Sequence, residues 1–189
     1  MFRHNAVAGG SDMPVKEAVC SVCGGSCGDG QWRTVDDVPV CLKCLFGNAE
    51  PFCVYPIGVV HNNQHQQGEF GLDAKGVSEL CLEPGMVQFM SRVEEESHLT
   101  VVWYVHHPGA LVTEFRRRWD DKRVGPFAAR TPNRPNGIAI TEVEFVKREG
   151  NVLFVRGLDA IDGTPILDIK ASMKSLRRTP KKKRRDNDI

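Results

Sequence analysis

Along 138–146 apolar and polar residues alternate, the pattern of a strand with one buried face. Ile138, Ile140, Val143 and Phe145 follow that rhythm, Glu149-Gly150-Asn151 makes a turn, and Val152-Leu153-Phe154-Val155 follows, which predicts a β-hairpin. Residues 54–60, 99–105 and 164–169 are further short runs, rich in β-branched and aromatic residues and bounded by polar or turn residues. Residues 31–35 and 38–40, around Asp36-Asp37, predict a second and smaller hairpin. Only 110–120 has helical character, of a turn or two, and Trp103 and Trp119 read as core residues. Short strands without alternating long helices predict a mainly β chain, a barrel or a sandwich. With no GxGxxG and no P-loop, an α/β nucleotide-binding sheet is excluded.

The cysteines add a second texture. Of seven, six lie within 20–53, and Cys20-Ser21-Val22-Cys23 and Cys41-Leu42-Lys43-Cys44 form two C-x2-C knuckles. Two knuckles at this spacing predict a tetrahedral four-thiolate Zn2+ site, structural because no position is left open. So small a unit needs such support, since its own core cannot hold it. Disulfides or redox-active thiols are the alternatives; disulfides fit poorly in a chain without a secretory pattern, and a redox-active C-x2-C would not normally come twice at ribbon spacing. Cys27 stands beside the knuckles as a substitute ligand or a free thiol, while Cys53 and Cys81 read as buried apolar residues.

Charge changes the picture at one end. The chain of 189 residues has a formal net charge of +1. Eight basic residues between Lys174 and Arg185, followed by Asp186 and Asp188, leave a body with 17 basic and 22 acidic residues. Such a tail is either a solubilising disordered end or a contact for phosphates. No apolar run approaches the roughly 18 residues that span a bilayer. Met1–Asp12 has no apolar signal core. The reading is cytoplasmic, with no membrane. The division expected is a flexible lead at 1–19, a zinc-ribbon-like module at 20–53, a β domain at 54–173 and a basic tail at 174–189.

One stretch is rarer than all of these. Gly125-Pro126-Phe127-Ala128-Ala129-Arg130-Thr131-Pro132-Asn133-Arg134-Pro135-Asn136-Gly137-Ile138 is a rigid, proline-laced loop. It closely resembles the "FATRSPNRPNPIG" signature of the TrmO family of tRNA m6t6A methyltransferases. Three further blocks are similar in the same order: Tyr55–Val60, Ser97–His107 and Gly157–Lys170. The resemblance covers about 54–173. It implies a small antiparallel β-barrel that acts as a homodimer and uses S-adenosylmethionine. It implies N6-methylation of threonylcarbamoyladenosine at position 37 of tRNA.

Carried over by the matching words, the cofactor contacts would be His106, His107, Arg130 and the Ala160-Ile161-Asp162-Gly163 turn. A permanent guanidinium suits the methionine carboxylate, and an aspartate at a glycine turn suits a hydroxyl or amine. Asn133, Arg134, Asn136, Asp168 and Lys170 would serve the acceptor, although Asp168 and Lys170 also read as a surface ion pair. No base is singled out; Asp159, Asp162 and a histidine are eligible. The chain departs from the family words at 61–67, where no Pro-Gln occurs, at His106-His107, at Asn136-Gly137-Ile138-Ala139 and at Lys170-Ala171-Ser172. These changes leave open a different acceptor, a small molecule or another macromolecule, and a non-catalytic RNA- or protein-binding module.

Overall fold

The computed structural model describes residues 17–28, 30–65, 76–117 and 119–173. Of the flexible lead expected at 1–19, residues 1–16 lie outside the described residues and Ala18–Val19 is a strand paired with Ser26–Cys27; the basic tail expected at 174–189 lies outside the described residues. Contacts divide the chain into two units: residues up to Cys53 together with Val105–Ile138, and Val54–Tyr104 together with the chain from Ala139. This division cuts across the linear one, because 105–138 is grouped with the cysteine-rich segment and not with the barrel.

The barrel unit is built from β5 (Gly58–His61), β6 (Val77–Leu82), β7 (His98–Tyr104), β10 (Ile138–Glu149), β11 (Val152–Arg156) and β12 (Pro165–Ala171). They close in the order β10-β11-β6-β5-β12-β7. The hairpin predicted around Gly150 is β10-β11, with Glu149 opposite Val152 and Gly150 at φ 60°. Inward residues fill the barrel: Val60, Leu80, Val101, Val143, Val155 and Ile166 have no exposed surface. Each such side chain contributes about 1.5–3 kcal/mol through burial. Gly58 is required by close approach, since a Cβ there would lie 2.4 Å from the Cys81 carbonyl oxygen on β6.

The other unit holds β1 (Ala18–Val19), β2 (Ser26–Cys27), β3 (Trp32–Val35), β4 (Val38–Cys41), α1 (Leu42–Phe46), β8 (Phe115–Arg116) and β9 (Arg123–Val124). The small hairpin β3-β4 turns through Asp36 and Asp37 at φ 46° and 64°. That is the left-handed geometry that two-residue hairpins favour and Asp tolerates. Its apolar cluster is small, Cys20, Cys27 and Val40, with Ala18, Trp32, Val35 and Leu45 packed on it.

Several local expectations change. The helical character expected at 110–120 is absent: Phe115–Arg116 is a strand paired with Arg123–Val124. Upstream, the backbone of Leu111 is bonded to Thr34 and Asp36 and so unavailable to a helix. Trp103 is core at 6% exposed, but Trp119 is 69% exposed, with the Arg117 guanidinium 4.6 Å from its ring centre. Cys53 is exposed and Cys81 half-buried, so neither is a core cysteine. Among the described residues no helix is long and apolar enough to cross a membrane.

Candidate functional site

At one rim of the barrel the turn 160–163 closes onto the exit of β5. Asn62 is the hub: its backbone N–H donates to Asp162 Oδ1 at 3.0 Å, and its Nδ2 donates to Ser78 Oγ at 3.1 Å and to the Ala160 carbonyl at 2.9 Å. The Asp162 N–H returns a bond to the Gln64 carbonyl at 2.7 Å, and the Gly163 N–H one to Val60 at 2.8 Å. His61 Nδ1 lies 3.2 Å from Asp162 Oδ1. The Asn62 N–H, with His61 beside it, holds the Asp162 carboxyl below its ordinary value. Ala160 and Ile161 are buried, Gly163 takes φ 75°, and a polar cavity of about 280 Å³ opens beside Asn62 and Asp162. Gln64 Oε1 is out of solvent with no hydrogen-bond donor among the described residues. The segment that departs from the family words therefore builds the wall of the candidate turn.

Two other barrel candidates pair with each other. Lys170 Nζ donates to Asp168 Oδ2 on β12, and Asp168 Oδ1 accepts from the Ile169 N–H at 2.9 Å. Asp159 accepts from the Thr141 hydroxyl, which in turn accepts from Trp103 Nε1 at 3.1 Å.

The proline-laced loop belongs to the first unit, and arginines within and before it hold its carbonyls. Arg134 Nη1 donates to the carbonyls of Pro126 at 2.7 Å and Ala129 at 3.2 Å, and Arg117 Nη1 donates to Ala128 at 3.0 Å. Arg134 is thus a brace of the loop. Asn133 Oδ1 accepts from the Gly109 N–H at 2.9 Å, and the Val105 N–H donates to Gly137 at 2.7 Å. These two ties flank His106 and His107, whose ring centres are 4.2 Å apart. Burial, then the neighbouring His107, push the His106 imidazole below its ordinary value. Gly137 adopts φ 61°, a turn the usual proline of the family word could not make. Arg116, Arg117 and Arg123 are paired with Asp121, Asp120 and Glu114. Arg130 and Asn136 are exposed, and Arg130 has no side-chain partner among the described residues.

The sulfurs of Cys20, Cys23, Cys41 and Cys44 all lie within 4.8 Å of one another, with Cys23 and Cys41 at 4.0 Å. Zinc–sulfur bonds of roughly 2.3 Å in a tetrahedron need sulfurs about 3.8 Å apart, so the donor set fits Zn2+. Backbone N–H groups point at two of them, Cys41 N–H at Cys20 Sγ and Cys44 N–H at Cys41 Sγ, each 3.3 Å. The first lowers the Cys20 thiol to about 6, while hydrogen bonding to the Cys41 and Cys23 sulfurs pushes Cys44 up to about 12. A dication would remove that conflict by stabilising every thiolate at once. Cys27 is outside the cluster: it is buried, and its thiol donates to the Gly25 carbonyl at 3.6 Å.

A closed six-stranded barrel with a proline-laced loop inserted before β10 places the chain in a family of barrel proteins. Residues 61–176 match the family model of the tRNA-methyltransferase O N-terminal domain, and the chain belongs to that family. It is 35% identical over 127 residues to a probable S-adenosyl-L-methionine-binding protein of Pyrococcus abyssi, covering 62% of this chain and 66% of that one. It is 38% identical over 81 residues to a mouse tRNA (adenine(37)-N6)-methyltransferase, covering 41% of this chain and 19% of the relative. A crystal structure of TrmO from Pseudomonas aeruginosa superposes with TM-score 0.53 at 25% identity, over 74% of this chain and 64% of that one. The chain thus spans just under two thirds of the Pyrococcus relative and a fifth of the mouse enzyme.

Proposed function

We propose that the protein is an S-adenosylmethionine-dependent methyltransferase that modifies tRNA at N6 of threonylcarbamoyladenosine 37. One observation supports it above the others. In a loop braced by its own Arg134 and by Arg117 from outside, Arg130 is left exposed, as a residue meant for an anion would be. Its fork suits the cofactor carboxylate. In the barrel, the Asp162 turn offers a carboxylate oxygen and a glycine backbone that a ligand can approach, and the orphaned Gln64 Oε1 is an acceptor suited to a ligand amine. His106, His107, Ala160, Ile161 and Gly163 complete the proposed cofactor contacts.

The cofactor supplies an electrophilic methyl on a sulfonium. The chain's residues orient the acceptor nitrogen and exclude water. Asp162, held ionised by Asn62, is a better hydrogen-bond acceptor than proton acceptor. Asn136, with Asp168 and Lys170, belongs to the acceptor side, while Asn133 and Arg134 keep the loop in shape for it. Cys20, Cys23, Cys41 and Cys44 hold a structural Zn2+, and the active species is a cytoplasmic homodimer.

A second reading keeps the chemistry and changes the acceptor. It is favoured by His61–Gln64, the segment unlike the family words, forming the wall of the Asp162 turn. Label transfer from S-adenosylmethionine to tRNA with and without the threonylcarbamoyl group separates the two. Nucleoside mass spectrometry should find N6-methylation only on the modified tRNA. Transfer to neither tRNA, by protein that binds the cofactor, would remove the tRNA assignment.

A further inference from the structure

The cysteine module and the proline-laced loop are tied by one residue. Asp36, at the tip of β3-β4, accepts from the Thr113 N–H at 2.9 Å through Oδ1 and from the Thr113 hydroxyl at 2.6 Å through Oδ2. The backbone joins in: the Asp36 N–H donates to Leu111 at 2.9 Å, the Leu111 N–H to Thr34 at 3.2 Å, and Val35 bridges Leu111 in parallel. Thr113 then reaches the loop, since a Cβ on Gly125, where the loop begins, would lie 3.3 Å from the Thr113 carbonyl oxygen. Beside this contact, an apolar cavity of about 410 Å³ is walled by Val35 and Leu45 of the module, Leu111, and Pro126, Phe127 and Pro135 of the loop.

We infer that Asp36 is a positioning residue, through which the cysteine module holds the 125–137 loop in its working shape. The module is then an internal scaffold and not an appended grip for RNA. Three features support that assignment. The carboxylate makes both of its bonds to one residue, so the tie is directional. It sits in a left-handed turn, at φ 46°, that Asn, Asp or Gly can fill, so the turn does not itself require a carboxylate, and Asp37 beside it provides the second such position. Within the loop Arg134 ties the carbonyls of Pro126 and Ala129, and Arg117 from outside holds Ala128, whereas the polar tie on the hairpin side is Asp36–Thr113, with the Thr113 backbone close against Gly125. The consequence for cofactor binding rests on the function proposed above; the tie itself does not.

The test uses the full chain. Asp36→Gly keeps the left-handed backbone and deletes the carboxylate; Asp36→Asn keeps an acceptor for the Thr113 N–H and a partner for its hydroxyl. Asp37→Gly is the control. Amide exchange of 111–113 and 125–137 should quicken about tenfold in Asp36→Gly, with wild-type rates in Asp36→Asn and Asp37→Gly. The S-adenosylmethionine Kd should rise in step, by about tenfold, with metal content unchanged. If Asp36→Gly loses the metal, Thr113→Val decides, because it removes one bond and leaves the hairpin intact. Unchanged exchange at 125–137 in either variant overturns the inference. A wild-type protein that binds no S-adenosylmethionine would fail the function, while the exchange rates still decide the tie.

Discussion

The two units are held together by different physics. In the barrel, Leu80, Leu99, Leu153, Leu158 and Ile166 are among side chains buried almost completely, and six strands satisfy one another's backbones around them. In the first unit the buried apolar residues are few, the cluster of Cys20, Cys27 and Val40 with Val105 and Leu111, and the order rests also on short strand pairs, on the sulfurs and on polar ties such as Asp36–Thr113. Apolar area is spread over many side chains, so no single barrel contact carries the whole of its stability. A cluster of four thiols is not redundant. The unit that carries the proline-laced loop is therefore the fragile one.

Substitutions that strike one unit and spare the other test this contrast. The largest effect belongs to Cys41→Ser, because a structural zinc contributes on the order of 10 kcal/mol of apparent binding energy. Metal analysis should fall from about one equivalent to none, and amides of 18–47 should lose protection while β6 and β11 keep theirs; a fully metallated variant would break the contrast. Next comes Leu153→Ala, with an expected loss of about 2–5 kcal/mol in chemical denaturation and no loss of metal. Gly58→Ala follows at roughly 1–3 kcal/mol, since the β5-β6 backbones must move apart. Asn62→Ala should weaken S-adenosylmethionine binding roughly tenfold at full metal content, because Ser78 and Ala160 lose their shared side-chain donor and the Gln64 N–H its acceptor, while the backbone bond to Asp162 stays.

The smallest effect is one of pH. Because the folded carboxyl of Asp162 is lowered, its contribution is complete above the unfolded value and is lost only as pH falls through the lower folded value. The Asn62 amide resonance should thus hold its position through the range where an ordinary aspartate titrates, and move at more acidic pH. Movement at an ordinary aspartate pKa would mean that the rim bond is weak in solution.

Strands β7, β10, β11 and β12 could be read from the chain, β10 and β11 from their turn and β7 and β12 from short apolar runs between polar residues, although Ile138 and Ile140, which set the rhythm of β10, are exposed. Strand β6 could not: it buries Ser78 with Leu80 and Leu82 and exposes Val77, which blurs the alternation. The thiolate spacing identified the four sulfurs that cluster, and the structure separates Cys27 from them. Asn62 escaped notice because its importance lies in partners 16 and 98–100 residues away, Ser78, Ala160 and Asp162, which no local pattern shows. The same is true of Asp36, legible as a turn residue but not as the partner of Thr113 77 residues on. Arg134 was legible as a ligand group but not as a brace of its own loop, since a guanidinium with five donors finds nearby carbonyls that no spacing announces.

The central claim is that this barrel and its loop bind S-adenosylmethionine, and titration calorimetry of the full metallated chain tests it most directly. The account predicts saturable heat with S-adenosylmethionine, competition by S-adenosylhomocysteine, and a large loss of affinity in Arg130→Ala and Asp162→Ala with the metal retained. Wild-type protein that is folded and metallated, yet gives no heat and no competition, would contradict it.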